Sequence, residues 1–326
     1  MSSAETTIGS KLAHPVICVV GATASGKTDL AVDLGLALGG QVVSADSMQV
    51  YRGMDIGTGK LPQDQRLVPH HGFDLVDPGE PYSAALFQPY ARTCFKRICD
   101  ENQVPILCGG TGFYVRAAID AYEFPPGEQV ENPVRERWTS FAQEQGAHAL
   151  WVELEKVDPR SAAVIHENNV KRVIRAFEML SEGSCYADQL EALQTIPQAL
   201  PAVFIGLEWD RDVLYDRINR RVDHMIELGL VEEVQGLLNQ GFREGITAPQ
   251  AIGYKEIVSY LDGNCTLDEA VEQIKMATRR YAKRQGTWFR KDMRITWLYP
   301  QGKSSQELLQ EALEIIQPKL ASGIPV

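Results

Sequence analysis

The sequence predicts an α/β fold, a P-loop parallel sheet core carrying a mostly helical insertion domain. Three observations carry this. Short apolar runs alternate with amphipathic segments through the first third of the chain. A glycine-rich G-x-x-x-x-G-K-[ST] pattern joins the first apolar run to the first helix. The stretch 123–199 then changes texture, becoming polar and largely helical.

Pro15–Val20 (PVICVV) reads as the first strand, followed by a helix ending at Gly39-Gly40. Gln41–Ala45 (QVVSA) and Val104–Cys108 (VPILC) read as the second and third strands, and His148–Leu154 and Ala202–Leu207 as further ones. Pro125-Pro126-Gly127 opens the insertion. Several helices follow Trp209, the last opening with Thr266 and Glu269 at capping-box spacing. A final strand, Ile295–Tyr299, closes the ordered part. The expected organisation is a discontinuous catalytic core of 14–122 and 200–300, an insertion at 123–199, and tails at 1–13 and 301–326.

Composition narrows the function classes. The net charge of -11 argues against a protein coated in positive charge, so a nucleic-acid site has to be a local patch. No apolar run is long enough for a membrane span, and the N-terminal stretch has no signal-peptide core. The six cysteines form no C-x-x-C pair, which points away from a zinc site or a disulfide framework. A soluble, cytoplasmic protein is expected.

Gly21-Ala22-Thr23-Ala24-Ser25-Gly26-Lys27-Thr28 is the phosphate-binding candidate. Its glycines let backbone N–H groups converge on an anion at the positive end of a helix. Lys27 can neutralise phosphate oxygens, and the Thr28 hydroxyl can ligate magnesium. The pattern specifies a diphosphate or triphosphate, not a nucleotide. The third strand ends in Gly109-Gly110 where a P-loop kinase or hydrolase carries a magnesium-binding Asp, which weakens the NTPase reading. Asp210, past the Ala202–Leu207 run, fits equally well as a helix cap.

Asp46 follows the second strand, where open α/β sheets line their ligand crevice. It faces bound phosphates, caps a turn or ligates magnesium. Arg217 and Arg221, four apart in a helical stretch, share one face, either solvated and paired with Asp223 or turned to a ligand. The stretch 279–294 holds seven Lys or Arg against one Asp, with Tyr281, Trp288 and Phe289. It offers cations and stacking surfaces for RNA, or a helix with core aromatics and solvated charges. His70, His71 and His166 lack metal-ligand spacing and read as structural or hydrogen-bonding residues.

The segment Asp46–Lys60 (DSMQVYRGMDIGTGK) closely resembles the signature of the tRNA dimethylallyltransferase (tRNA isopentenyltransferase) family. Further stretches agree in order: His70-His71 with Asp74, Tyr82-Ser83-Ala84, Gly109–Tyr114, Lys171–Glu178, Arg217-Ile218 with Arg221–Met225, Ala251–Glu256 and Thr278–Gln285. Together they cover residues 15 to 299. Ala22 stands where the family often has Pro, and Lys171 where it often has Gln.

The resemblance implies transfer of a dimethylallyl group from dimethylallyl diphosphate to the exocyclic amine of the adenine 3′ of the anticodon, giving N6-isopentenyladenosine and diphosphate. Thr23–Thr28 would grip the diphosphate, with magnesium on Thr28. Asp46 would be the general base, and Asp46, Ser47, Met48 and Gln49 would hold the flipped adenine. Thr111, Arg135, Lys171, Arg172, Val173, Ile174 and Arg175 match positions expected to touch the tRNA anticodon stem-loop. Arg217 would contact the diphosphate or the RNA backbone. A monomer is expected. The rivals are a P-loop small-molecule kinase, an isopentenyltransferase acting on free adenylate, and a binding module without catalysis.

Overall fold

The computed structural model describes residues 12–124 and 132–321. The Pro125-Pro126-Gly127 opening of the insertion lies outside the described residues, as do 1–11 and 322–326 of the expected tails.

Six parallel strands, β1 (Val16–Gly21), β2 (Gly40–Ser44), β3 (His70–His71), β4 (Val104–Gly109), β5 (Ala202–Leu207) and β6 (Ile295–Leu298), form one sheet in the order β3-β2-β4-β1-β5-β6. Parallel strands are covered on both faces, which is why β1, β2 and β4 are buried along their whole length rather than alternating. The chain moves to opposite sides of β1 to reach β4 and β5. The crevice at the carboxyl ends of these strands is where such sheets bind ligands.

The helices are α1 (Lys27–Leu38), α2 (Ala84–Asp100), α3 (Gly112–Ile119), α4 (Pro133–Val157), α5 (Pro159–Val164), α6 (Val170–Ser181), α7 (Tyr186–Thr195), α8 (Arg211–Glu227), α9 (Leu230–Leu238), α10 (Tyr254–Leu261), α11 (Leu267–Phe289) and α12 (Ser305–Ala321). Local signals set several boundaries. Gly39 ends α1 in the left-handed region, and the Thr266 and Glu269 side chains cap α11 reciprocally.

Two compact units result, Met1–Asp120 with Gln198–Val326, and Ala121–Pro197. In the first, Ile17, Leu30, Leu34, Ile106 and Ile205 pack between the sheet and α1. Leu308, Ala312 and Ile316 of α12 join the same cluster. This corrects the expected 301–326 tail and the end of order at Tyr299. After the polar Gln301–Ser305 stretch, those three residues recur every four positions on one helical face.

The second unit holds α4 to α7. His148–Leu154, expected as a strand, lies inside α4. Its buried Leu150 and Leu154 are one helical turn apart, a case where a short apolar run fits either period. Those leucines pack with Ala162, Ile165, Val173 and Phe177, and Trp138 stacks on Phe177 at 3.8 Å. Glu178 is fully buried and bridges Arg135 (2.6 Å) and Arg175 (3.0 Å). Glu178→Ala would remove the buried anion that two half-buried guanidiniums share. It is expected to cost about 2–3 kcal/mol in urea unfolding, less than for a fully buried pair because both arginines keep some water. A loss near zero would show the ion triad to be dispensable.

Candidate functional site

The glycine-rich turn closes over its own backbone. Gly21 and Gly26 have φ of 146° and 89°. A Cβ on Gly21 would lie 2.7 Å from the Leu207 carbonyl, so the turn passes β5 too closely for any side chain. Lys27 folds back, its Nζ donating to Ala22 O at 2.6 Å. Ser25 Oγ is buried with no hydrogen-bond partner among the described residues, a polar atom left for something the cradle receives.

Two arginines of α8 reach this turn, as their four-residue spacing requires. Arg217 Nε donates to Ala24 O at 2.8 Å, and its guanidinium lies over Trp209 at 4.4 Å. Trp209 in turn donates to Ser25 O. Arg221 donates to Thr58 O at 3.3 Å, and the missing side chain of Gly59 makes room for it. Asp223, the alternative partner, pairs with Lys275 instead. Asp210 occupies the N-cap position of α8 without a capping hydrogen bond.

Three cavities meet here. One of about 420 Å³ is lined by Thr28, Arg217, Arg220 and Arg221. Another of about 460 Å³ is lined by Asp46, Ser47, Met48, Gln250, Lys255, Arg280, Tyr281 and Arg284. A neck of about 80 Å³ shares Lys27, Thr28, Leu61 and Arg221 with the first, and Asp46, Thr58 and Tyr281 with the second. The neck brings the P-loop cations and the Asp46 carboxylate into one space.

Asp46 Oδ1 accepts from Met48 N–H at 2.9 Å, so one oxygen does cap the turn. No hydrogen bond among the described residues ends on Oδ2. Thr111 Oγ1 accepts from Ser47 N–H, tying this turn to β4. Gln49 is engaged internally, accepting from Ser44 Oγ and donating to the Thr58 and Gly59 carbonyls. That turn is itself anchored: Glu233 accepts from the N–H groups of Asp55, Ile56 and Gly57 and from the Tyr254 hydroxyl.

Burial of Lys27, with Arg221's charge acting in the same direction, lowers its pKa to about 8. Burial likewise pulls Arg221 down, against the opposing pull of Asp46 and Asp29. The Cys108 thiol, also buried, is pushed up to about 12 and stays neutral beside Lys27.

Gln285 has no role in the sequence reading, yet it accepts from Thr23 N–H at 2.9 Å and donates to Gly110 O at 2.9 Å, joining the P-loop to the end of β4. Gln250 is a further lining residue without a role in that reading, while Arg221 and Tyr281, each left there between two alternatives, both line the cavities. The 279–294 stretch divides by face. Phe289 is core and Arg294 pairs with Asp120 and Asp292, whereas Arg280, Tyr281 and Arg284 line the larger cavity and Trp288 is 42% exposed. His71 bonds Gln41, and His166 Nδ1 accepts from Asn168 N–H. His70 donates from Nδ1 to Val68 O and lines the neck.

In the second unit, Lys171 and Arg172 are exposed on α6, and Arg175 and Arg135 are held by Glu178. Val173 and Ile174 are 0% and 7% exposed. Both sit in that unit's apolar core, which removes their side chains from the set expected to touch RNA.

Fold and site together define a P-loop α/β protein whose glycine-rich turn and Asp46 carboxylate line one narrow neck. A family model described as IPP transferase matches residues 49–292, and one described as isopentenyl transferase matches 14–69. A tRNA dimethylallyltransferase of Carboxydothermus hydrogenoformans is 46% identical over 308 residues, covering 93% of this chain and 97% of the relative. That of Bacillus subtilis is 45% identical over 286 residues, covering 87% and 90%. Among solved structures, a full-length tRNA isopentenylpyrophosphate transferase from Bacillus halodurans aligns with a TM-score of 0.70 at 43% identity, covering 95% of this chain and 98% of that one. A eukaryotic dimethylallyltransferase acting on tRNA aligns with a TM-score of 0.77 at 27% identity, covering 96% and 81%. The chain belongs to the IPP transferase family.

Proposed function

We propose that this chain transfers a dimethylallyl group from dimethylallyl diphosphate to the exocyclic amine of the adenine 3′ of the anticodon in tRNA. The observation that carries the reading is the neck. Lys27 and Thr28 line it together with Asp46, and a separate cavity opens from each side. A donor held by its diphosphate and an acceptor base can therefore enter from different directions and meet.

The diphosphate lies against the turn Gly21–Thr28, with Lys27, Arg217 and Arg221 countering its charge. The extruded adenine enters past Ser47, Met48 and Tyr281. Its amine nitrogen attacks C1 of the prenyl group as the C1–O bond to diphosphate breaks. Asp46 takes the amine proton as the new C–N bond forms, and diphosphate leaves with the bonding electron pair.

Magnesium fits this site. The Thr28 hydroxyl offers a hard oxygen ligand at the neck, and a small cation that keeps its waters and the substrate's phosphates needs only one or two protein oxygens. Thr28 would hold it, and it would supply charge neutralisation of the departing diphosphate. Despite the net charge of -11, each unit carries local cations for RNA phosphates: Arg280 and Arg284 at the larger cavity of the first, and the exposed Lys171 and Arg172 with the partly exposed Arg135 and Arg175 in the second. The proposed enzyme is a monomer working on cytoplasmic tRNA.

The test is incubation with labelled dimethylallyl diphosphate, magnesium, and either unmodified tRNA or AMP. Label is expected in tRNA and not in AMP. Label in AMP alone would favour the free-adenylate reaction, and ATP consumption without label transfer would favour a kinase.

A further inference from the structure

We propose that Phe73 sets the length of the prenyl group this site accepts, forming a wall of the neck against which five carbons fit and ten do not. The proposal rests on the transfer reaction above and adds a specificity determinant to it.

The neck has about 80 Å³. At roughly 10–15 Å³ for each water-sized group, that is room for roughly five to eight heavy atoms. A tail reaching toward Ser47 and Met48 would occupy the space of the incoming base, and the cradle side is lined by Lys27, Thr28, Asp29, Arg217, Arg220 and Arg221, charged and polar groups that an apolar tail would desolvate. The tail therefore lies against the apolar side chains of the neck, Val42, Leu61, Phe73 and Cys108.

Of these, Val42 and Cys108 belong to β2 and β4 and are fixed by the sheet. Phe73 comes from the turn after β3. Gly72, with φ of 87°, passes so near β2 that a Cβ there would lie 2.8 Å from Ser44 O, and this approach delivers the next side chain to the neck. The ring is then held, stacked on His70 at 5.6 Å with the Arg66 guanidinium 4.7 Å from its centroid. A ring held on His70 and under Arg66 is a fixed wall that a longer tail cannot push aside without breaking both contacts.

The experiment presents the protein and an unmodified anticodon stem-loop with equal concentrations of dimethylallyl and geranyl diphosphate, and measures both product nucleosides by mass spectrometry. The wild-type protein is expected to favour the five-carbon donor by at least about a hundredfold, since even single methylenes are discriminated about 10–200-fold in shaped pockets. Phe73→Ala should move the product ratio toward geranyl by at least about tenfold. Because both products form in one tube, the ratio cancels any general loss of rate. An unmoved ratio in a folded Phe73→Ala protein overturns the proposal, as does a wild type that transfers geranyl as readily. If circular dichroism shows Phe73→Ala unfolded, Phe73→Leu is read by the same criterion. Transfer of neither donor by the wild type would sink the transfer reaction itself, an outcome distinct from loss of selectivity.

Discussion

Asp46→Ala is expected to lower the rate of prenyl transfer by about 10²–10⁴-fold while leaving the affinity for dimethylallyl diphosphate unchanged. The size follows from the role proposed for the carboxylate. An exocyclic adenine amine is a weak nucleophile, because its lone pair is delocalised into the ring, and it becomes cationic as it alkylates unless its proton leaves. A carboxylate within hydrogen-bond reach removes that charge during bond formation. The geometry separates this role from phosphate binding, since Oδ1 is engaged by Met48 N–H and the P-loop cations contact other atoms. Single-turnover rates with saturating donor, together with donor binding by calorimetry, check the split. Equal loss of binding and rate would make Asp46 a structural or magnesium-holding group. Asp46→Asn keeps the shape and the Met48 contact but cannot take a proton, so it should fall nearly as far. A near-normal Asp46→Asn would show that the carboxylate only orients the base.

The two halves of the candidate site were legible in the sequence for the same reason: each is written locally. The P-loop is eight consecutive residues whose backbone geometry is set by its own glycines, and Asp46 stands directly after a strand that the apolar pattern marks. Their supports are not local. Thr23 and Gln285 are 262 residues apart, so the bond joining the P-loop to α11 exists only once the sheet has formed. Glu233 looks like any acidic residue on an amphipathic helix, and its grip on the turn at Asp55–Gly57 shows only in the folded chain. The two-residue β3 is too short to carry a period, which hid the placement of His70 and Phe73. Val173 and Ile174 fail in the opposite direction. They lie in a stretch that matches the family in sequence, but a helix presents only one side, and theirs is the inner one. Position in a matching segment does not specify which face a side chain takes.

Lys27 provides the second large effect and a pH signature. In the unliganded protein its pKa lies near 8, because burial disfavours the ammonium and Arg221 adds a like charge. In the proposed reaction the diphosphate needs that ammonium, so the form competent for donor binding is present below about pH 8 and is lost as pH rises through it. The kcat/KM for dimethylallyl diphosphate should therefore fall about tenfold per pH unit above that value, because this parameter reports the free enzyme. Once bound, the diphosphate stabilises the charged lysine and raises its pKa, so the alkaline limb of kcat should lie at higher pH than that of kcat/KM. Lys27→Met is expected to reduce transfer by about 10²–10³-fold through loss of charge on the leaving group, with weaker donor binding as well. That joint loss contrasts with Asp46→Ala, where binding survives. Lys27→Arg carries a charge that does not titrate in this range and should lose the alkaline limb even where its rate is low. If the limb persists near pH 8 in Lys27→Arg, another group titrates there and the diphosphate does not depend on the lysine's protonation.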